Sequence, residues 1–323
     1  MAHSRSVTLA TIARRCRVSV ATVSKALSDE PSRCDLSAGT VARIRTAAHG
    51  LDYRAGWRRA RLRPTIALVL PGANQYLSGA YFDLIPHLVR ACDYEDAILV
   101  IMAMATGATL KTELTRRQVR GAILLQAENA WMEQALPSRF PLVLYNNQSP
   151  LDCVQVMPDE VAHVALAVDH LASLGHRRFC YLDFPSGHGH CSGGLRRQAM
   201  GAADGRDGRS VVTITGRCGL LGAIDAGATA VVAADGGLAL TALGWLAEAG
   251  RRVPDEVSLL AMSQADLLAK AWPAIACIRH PVEAMVAAAL QAILAPPEGP
   301  RFRLFSGHVV AGGSCARPGS LTS

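Results

Sequence analysis

Residues 7–27 read VTLATIARRCRVSVATVSKAL, a stretch that forms two short helices joined by a tight turn. Leu9, Ile12 and Ala13 fall at i, i+3 and i+4, the spacing of one buried helical stripe. Ser19 is a good N-cap for a second helix over 20–27, in which Val23, Ala26 and Leu27 turn inward. The outer face is left with Val20, Ala21, Thr22, Ser24 and Lys25. Small residues there let a helix approach base edges closely, hydroxyls can bond phosphates, and Lys25 can reach a guanine edge. A third helix over 37–49 supplies Val41, Ile44 and Ala48 to close a small core. An ordinary helical bundle would show the same apolar spacing. Its outer face would usually carry mixed charges, whereas this one is short, polar and cationic, so a DNA-reading helix-turn-helix is expected.

Charge is distributed accordingly. Residues 1–64 hold 13 Lys or Arg against 4 Asp or Glu, a net of +9, while the remaining chain holds 20 against 22. A basic head on a nearly neutral body suggests a nucleic-acid reader attached to something else, not a general polyanion or membrane-surface binder. No run of 18 uncharged apolar residues exists and no apolar signal core follows the N-terminus, so no membrane partner is expected and a cytoplasmic location is. Nine scattered cysteines without a C-x-x-C pair read as reduced small hydrophobes.

Residues 54–63 are too cationic to form a stable helix alone, and Pro64 closes the segment before an apolar strand. The segment is either a plain linker or a hinge that becomes helical once DNA neutralises it. The second reading is favoured: it lays Arg58, Arg59 and Arg61 on phosphates and frees Leu62 to wedge between base steps in the minor groove.

Beyond residue 64 apolar strands alternate with helical stretches. Strands are expected at 65–70, 97–102, 121–125 and 142–145, with helices near 81–94, 110–117 and 130–136. A second set of strands falls at 179–182, 211–215, 230–234 and 258–262, with helices over 159–174, 194–203, 220–226 and 236–249. Continuous apolar strands with helical crossovers imply parallel sheets covered on both faces. Two four-strand sets imply two similar subdomains with a ligand cleft at the strand C-terminal ends. Residues 276–279, a helix over 281–294 and a strand near 304–308 are expected to return to the first subdomain.

With both pieces in view, the chain resembles the LacI/GalR family of bacterial transcription regulators nearly end to end. The resemblance rests on Val7-Thr8-Leu9, Ile12-Ala13, Val18-Ser19, the run Ala21 to Leu27, and Leu51-Asp52-Tyr53. Leu171 to Arg178, Arg197 with Gly201 (one residue out of step), and Val253 to Ser258 add to it. It implies a helix-turn-helix head over 1–53, a hinge over 54–64, and a periplasmic-binding-protein-like core over 65–316. That core has two doubly wound parallel-sheet subdomains and is followed by a tail over 317–323. It further implies a repressor that binds a palindromic double-stranded DNA operator as a homodimer and responds to a small sugar-like effector, with no cofactor, metal or catalytic residue. A tail this short does not supply the extra helix that makes tetramers. By the same resemblance Val20, Ala21 and Lys25 read bases. Thr8, Ser19, Thr22, Ser24 and Thr40 contact phosphates, and Leu62 is the hinge wedge. Tyr81, Phe82, Asn146, Arg197 and Asp235 line the effector cleft, where Arg and carboxylate clasp hydroxyls and an aromatic covers a sugar face.

Several positions depart from the family pattern. The loop over 29–36 is long, and Gly56 stands where Asn is common. Ala234-Asp235 replaces Asn-Asp, Ala261-Met262-Ser263-Gln264 replaces Gly-Phe-Asp-Asp, and Gly312 or Gly313 replaces a late Arg. An unusual ligand, or a core that no longer senses a classical sugar, would account for these changes. An enzyme or an exported sugar-binding protein of the same core fold is the remaining alternative. Against an enzyme stand the missing phosphate-loop, H-E-x-x-H and G-x-S-x-G motifs. The cluster His188, His190 and Cys191 has no second group to complete a metal shell and reads as a structural loop.

Overall fold

The computed structural model describes residues 8–27, 36–51, 63–71, 79–104, 109–125, 140–149, 152–185, 191–263, 266–295 and 301–319. Two units contain the chain, Met1–Arg63 and Pro64–Ser323. The expected hinge residues Arg58, Arg59, Arg61 and Leu62, and the helix expected over 130–136, lie outside the described residues.

The first unit holds three helices, α1 (Leu9–Cys16), α2 (Val20–Ala26) and α3 (Ala38–Gly50). Thr8 opens α1 through a reciprocal capping box with Thr11, which answers two of the amides a helix start leaves bare. The left-handed Arg17 (φ 52°) ends α1 and turns the chain within three residues. Ser19 then caps α2, its hydroxyl accepting the Thr22 N–H at 3.0 Å. Ile12, Val23, Ala26 and Ile44 are fully enclosed, with Leu9, Leu27, Val41 and Leu51 packed around them. The apolar stripe read from the sequence is thus the core of this small bundle. Cys16, also buried, extends it.

In the second unit, one sheet runs in the order β11-β5-β4-β3-β1-β2 and the other in the order β12-β10-β9-β8-β6-β7. The first contains β1 (Thr65–Pro71), β2 (Ile98–Met104), β3 (Val119–Leu125), β4 (Leu142–Tyr145), β5 (Val154–Pro158) and β11 (Phe302–Phe305). The second contains β6 (Arg178–Asp183), β7 (Ser210–Thr215), β8 (Ala230–Ala233), β9 (Ser258–Ala261), β10 (Ala276–Arg279) and β12 (His308–Val310). Every pairing is parallel except β10 with β12. In chain order the helices are α4 (Gly79–Tyr94), α5 (Leu110–Arg116), α6 (Glu160–Ser173), α7 (Cys191–Ala203), α8 (Gly216–Asp225), α9 (Gly236–Glu248), α10 (Asp266–Lys270) and α11 (Val282–Leu294).

Both sheets are covered on both faces. Along β6, Phe179 and Tyr181 pack with Val164 and Leu171 of α6 and Met200 of α7. Cys180 and Leu182 pack instead with Leu220 of α8 and Leu246 of α9. This is the period-two alternation of a strand, with both faces apolar because both are enclosed. In the first sheet α4 and α11 cover one face and α5 covers the other.

Three expectations change. The second sheet has six strands, not four, and the first gains β5 and β11. Strand β5 was missed because Gln155 interrupts its apolar run; the Gln155 amide is satisfied by the Ser149 backbone, accepting at 3.1 Å and donating at 2.7 Å. Residues 276–279 do not return to the first subdomain, since β10 pairs beside β9. The strand expected near 304–308 is two strands in different sheets, β11 beside β5 and β12 beside β10. Ser306 and Gly307 make that crossing.

The Leu-Gly-His-Arg-Arg element ahead of β6 is a structural joint. His176 Nδ1 lies 2.8 Å from the Thr229 hydroxyl, and its Nε2 lies 2.9 Å from both the Ser258 hydroxyl and the Ala316 carbonyl. Burial lowers the pKa of this imidazole. Gly312 is required nearby, because a Cβ there would sit 2.5 Å from the Ala274 carbonyl oxygen.

Candidate DNA-reading helix and effector cleft

On the first unit, α2 buries Val23 and Ala26 and leaves Val20, Ala21 and Lys25 exposed. All three expected base-reading residues therefore share the outer side of one helix. Val20 is 47% exposed, an unusual position for an aliphatic residue in so small a bundle. Four of the expected phosphate-contacting residues, Thr8, Ser19, Thr22 and Thr40, lie at helix starts. Thr8 and Ser19 are the N-caps of α1 and α2, and Thr22 Oγ1 sits 2.8 Å from Ser19 Oγ. Thr40 lies in the first turn of α3, its N–H donated to Ser37 Oγ at 3.3 Å. Ser24, partly buried, lies on α2 between Val23 and Lys25.

The second candidate site lies at the C-terminal edge of the second sheet, where ligands bind in open α/β folds. Asp183 ends β6, Asp235 follows β8, Ser263 follows β9 and His280 follows β10. Asp235 caps α9 through Oδ1, which accepts the Leu238 N–H at 2.7 Å. Asn146, left-handed at φ 51° just after β4, accepts a short hydrogen bond from the Ser192 hydroxyl of α7. That contact joins the first sheet's edge to the second's. Tyr81 and Phe82 lie near the start of α4, with side chains outside what is described.

The arginine is where sequence and structure part. Arg197 is half-exposed and paired to Asp183 at 2.6 Å. Its neighbour Arg196 is the buried one. Arg196 Nε and Nη2 donate to the two Glu160 oxygens at 2.6 and 2.7 Å, and Nη1 donates to the Ala234 carbonyl at 2.6 Å. The clue was available. Met200 is the large apolar residue of α7, and the inward stripe it marks runs through Ser192 and Arg196 at i−8 and i−4. All three are buried. The family match through Gly201 points to Arg197, whereas the burial pattern of the helix marks Arg196.

Around this ion pair the electrostatics are tightly set. Burial alone would raise the Glu160 pKa, but the Arg196 charge and hydrogen bonds, with His163, pull it down to about 2. Burial likewise opposes the charge on Arg196, and Glu160 overrides it, raising the guanidinium's pKa. The His280 ring stacks on His163 with centroids 4.7 Å apart, and burial, reinforced by Arg196, lowers its pKa to about 4. Glu160, His163 and His280 bring three possible metal-ligating atoms within 4.8 Å of one another, but their chemistry does not suit a cation. Both carboxylate oxygens serve Arg196, and His163 Nε2 accepts the Gly307 N–H at 2.7 Å. His280 Nε2 lies 3.1 Å from the Met262 carbonyl.

Comparisons with known proteins agree with both halves of this arrangement. Residues 168–315 match the family described as a periplasmic binding protein-like domain. An uncharacterized HTH-type transcriptional regulator in the aml 5′ region of Streptomyces limosus is 29% identical over 312 residues, spanning 88% of this chain and 87% of its own. The lac repressor dimer bound to operator and the anti-inducer ONPF is similar in structure with a TM-score of 0.73 at 18% identity, covering 97% of this chain and 100% of that one. The regulator CelR in complex with cellobiose gives 0.65 at 22% identity, covering 95% and 99%. The structural likenesses speak for the fold alone. The chain is thus similar to HTH-type transcriptional regulators over most of its length, matches a periplasmic binding protein-like domain over 168–315, and has the fold of the lac repressor.

Proposed function

We propose that the protein is a cytoplasmic repressor that grips a palindromic operator as a homodimer and is released or tightened by a small polar ligand in its core. The observation that carries this is the exposed outer side of α2, where Val20, Ala21 and Lys25 stand clear of the core while capped hydroxyls flank them. In this reading residues 1–53 are the head and 54–64 the hinge, with Arg58, Arg59 and Arg61 on phosphates and Leu62 as the minor-groove wedge. Residues 65–316 form the effector and dimerisation core, and 317–323 a tail. Thr8, Ser19, Thr22, Ser24 and Thr40 hold phosphates and set the register. Tyr81, Phe82, Asn146 and Asp235 face the effector, with Arg197 at its rim.

Dimerisation is supported by exposed apolar residues on α4 and the edge strand β2, namely Val89, Tyr94, Ile98 and Ile101. A two-fold pair of cores would place two heads for two half-sites. The sugar-like character of the ligand is suggested by the cellobiose complex of the structural neighbour and by the Asn, Arg and Asp groups of the cleft.

Selection of bound fragments from random duplex DNA, repeated with neutral sugars present, tests the proposal. A palindromic consensus whose occupancy changes with one sugar is expected. Binding without preference among duplexes, at modest salt and with every sugar, would overturn it.

A further inference from the structure

We propose that the outer side of α2 reads the C5-methyl group of a pyrimidine in the major groove, so that one position in each operator half accepts thymine or 5-methylcytosine and disfavours uracil or unmethylated cytosine. The inference deepens the reading of α2 as a DNA-contacting helix and rests on it.

The surface itself is the first argument. Val20, Ala21, Ser24 and Lys25 stand at i, i+1, i+4 and i+5, the spacing of a single side of a helix, while Val23 and Ala26 are buried on the other. Val20 is 47% exposed, and among the described residues of the first unit it is the one large aliphatic side chain left in the open. Ala21 beside it is exposed and adds only a methyl group, so the helix backbone can come close to whatever Val20 meets.

Charge identifies the partner. Residues 8–27 and 36–51 carry Arg14, Arg15, Arg17, Lys25, Arg43 and Arg45, all exposed, and no carboxylate. A surface of that sign draws a polyanion. An apolar spot within it suits a base edge, since a phosphate gains nothing from an isopropyl group.

Elimination then narrows the base. Adenine is read in the major groove by Asn or Gln, and the cytosine amino group by Asp or Glu. Residues 8–27 contain none of the four. Lys25 suits guanine. The Ser19 and Thr22 hydroxyls lie 2.8 Å apart, and Ser19 also accepts the Thr22 N–H, so both belong to the cap and not to a base edge. Ser24, partly buried, brings a hydroxyl that serves donors and acceptors alike. What is left for Val20 is the one apolar group that the major groove displays, the methyl group on C5 of thymine. A side chain with neither donor nor acceptor does not distinguish the O4 of thymine from the amino group of cytosine. Methylated cytosine therefore presents it with the same feature. Ala21 and Lys25 lie one helical turn apart, about 5.4 Å. Bases stack at about 3.4 Å, which puts this methyl group within about two base pairs of the guanine that Lys25 meets.

The test uses the full chain and a duplex selected from random DNA. Each thymine is replaced in turn by deoxyuridine, which deletes the methyl group and leaves base pairing unchanged. At one thymine in each half-site the replacement is expected to weaken binding about four-fold, the scale of one buried methyl group. With cytosine at that position, C5-methylation is expected to tighten binding by about the same four-fold. Val20→Ser, at an exposed position, is expected to abolish the preference for thymine over uracil there. Uracil tolerated at every thymine would overturn the methyl reading and leave DNA binding by α2 standing. A 5-methylcytosine no better than cytosine would show that the rest of the base is read as well, against the proposal. A thymine preference that survives in Val20→Ser would take the contact away from Val20. If random DNA yielded no preferred duplex, the DNA-reading role of α2 would itself fall, and this inference with it.

Discussion

Gly307 donates its amide N–H to His163 Nε2 at 2.7 Å, tying the point where the chain passes between sheets to the helix that follows β5. A Cβ at 307 would run into the Arg279 carbonyl oxygen and press on His163 Nε2 at 3.0 Å. Gly307→Ala is therefore expected to lower core stability by about 2 kcal/mol, the usual scale of overpacking. Urea unfolding followed by tryptophan fluorescence would measure it; an unchanged midpoint would show that the crossing yields easily.

The Arg196–Glu160 pair predicts an asymmetry. Glu160→Gln leaves a buried guanidinium without its counter-charge, at a cost of roughly 3–5 kcal/mol. Replacing both partners with apolar residues, as in Glu160→Leu with Arg196→Met, is expected to recover most of that loss. Denaturant unfolding of the two variants beside the parent would decide, and a double variant no better than the single would refute the argument.

Acid sensitivity should arrive in stages. His280 is held neutral in the fold, with its pKa lowered from 6.5 to about 4. Its contribution to stability is complete above pH 6.5 and is lost as pH falls from there toward 4. His176 shifts in the same direction and adds to the same window. Glu160, lowered to about 2, gives up its contribution only between about pH 4.5 and 2. Unfolding free energies measured from pH 7.5 to 4 should fall, and the slope should be shallower in His280→Gln. An equal slope in that variant would assign the acid loss to other groups.

In the head, Ser19→Ala removes the acceptor for the Thr22 N–H and should destabilise the three-helix unit by about 1 kcal/mol. Melting of residues 1–53 within the whole protein, followed by hydrogen exchange, would report it.

Lys25→Ala is expected to leave the head folded, because Lys25 is exposed while Val23 and Ala26 fill the core. Its effect should fall on DNA choice, with discrimination at one operator position relaxed by about 1–3 kcal/mol. Arg59→Ala should weaken binding to every duplex alike and reduce the salt slope by about one. Salt-titrated binding to specific and scrambled duplexes separates the two; equal loss of discrimination in both would count against these assignments.

The head was legible in the sequence because its signals are local: helical spacing at Leu9, Ile12 and Ala13, a hydroxyl ahead of each helix, and a core made from neighbours in the chain. The strands of both sheets were legible for a similar reason, as short apolar runs between helices. Where long-range pairing decides, the sequence was silent. Nothing local in 276–279 tells which sheet takes it, and Gln155 masks β5 until the Ser149 backbone shows where its amide goes. In the cleft, Asn146 and Asp235 were placed at strand ends, yet Glu160, His163 and Tyr181 were overlooked. Each sits within an apolar stretch whose outline reads as core, and only the fold brings the three together.

Because β11 and β12 come from one short stretch yet complete opposite sheets, neither half of the core is a continuous length of polypeptide. A protein stopped at residue 295 would strip an outer strand from both sheets at once, and also the Ser314 hydroxyl that bridges the Leu259 carbonyl and the Ala276 amide. During synthesis, then, neither half gains its outer strand until residues 302–310 have been made.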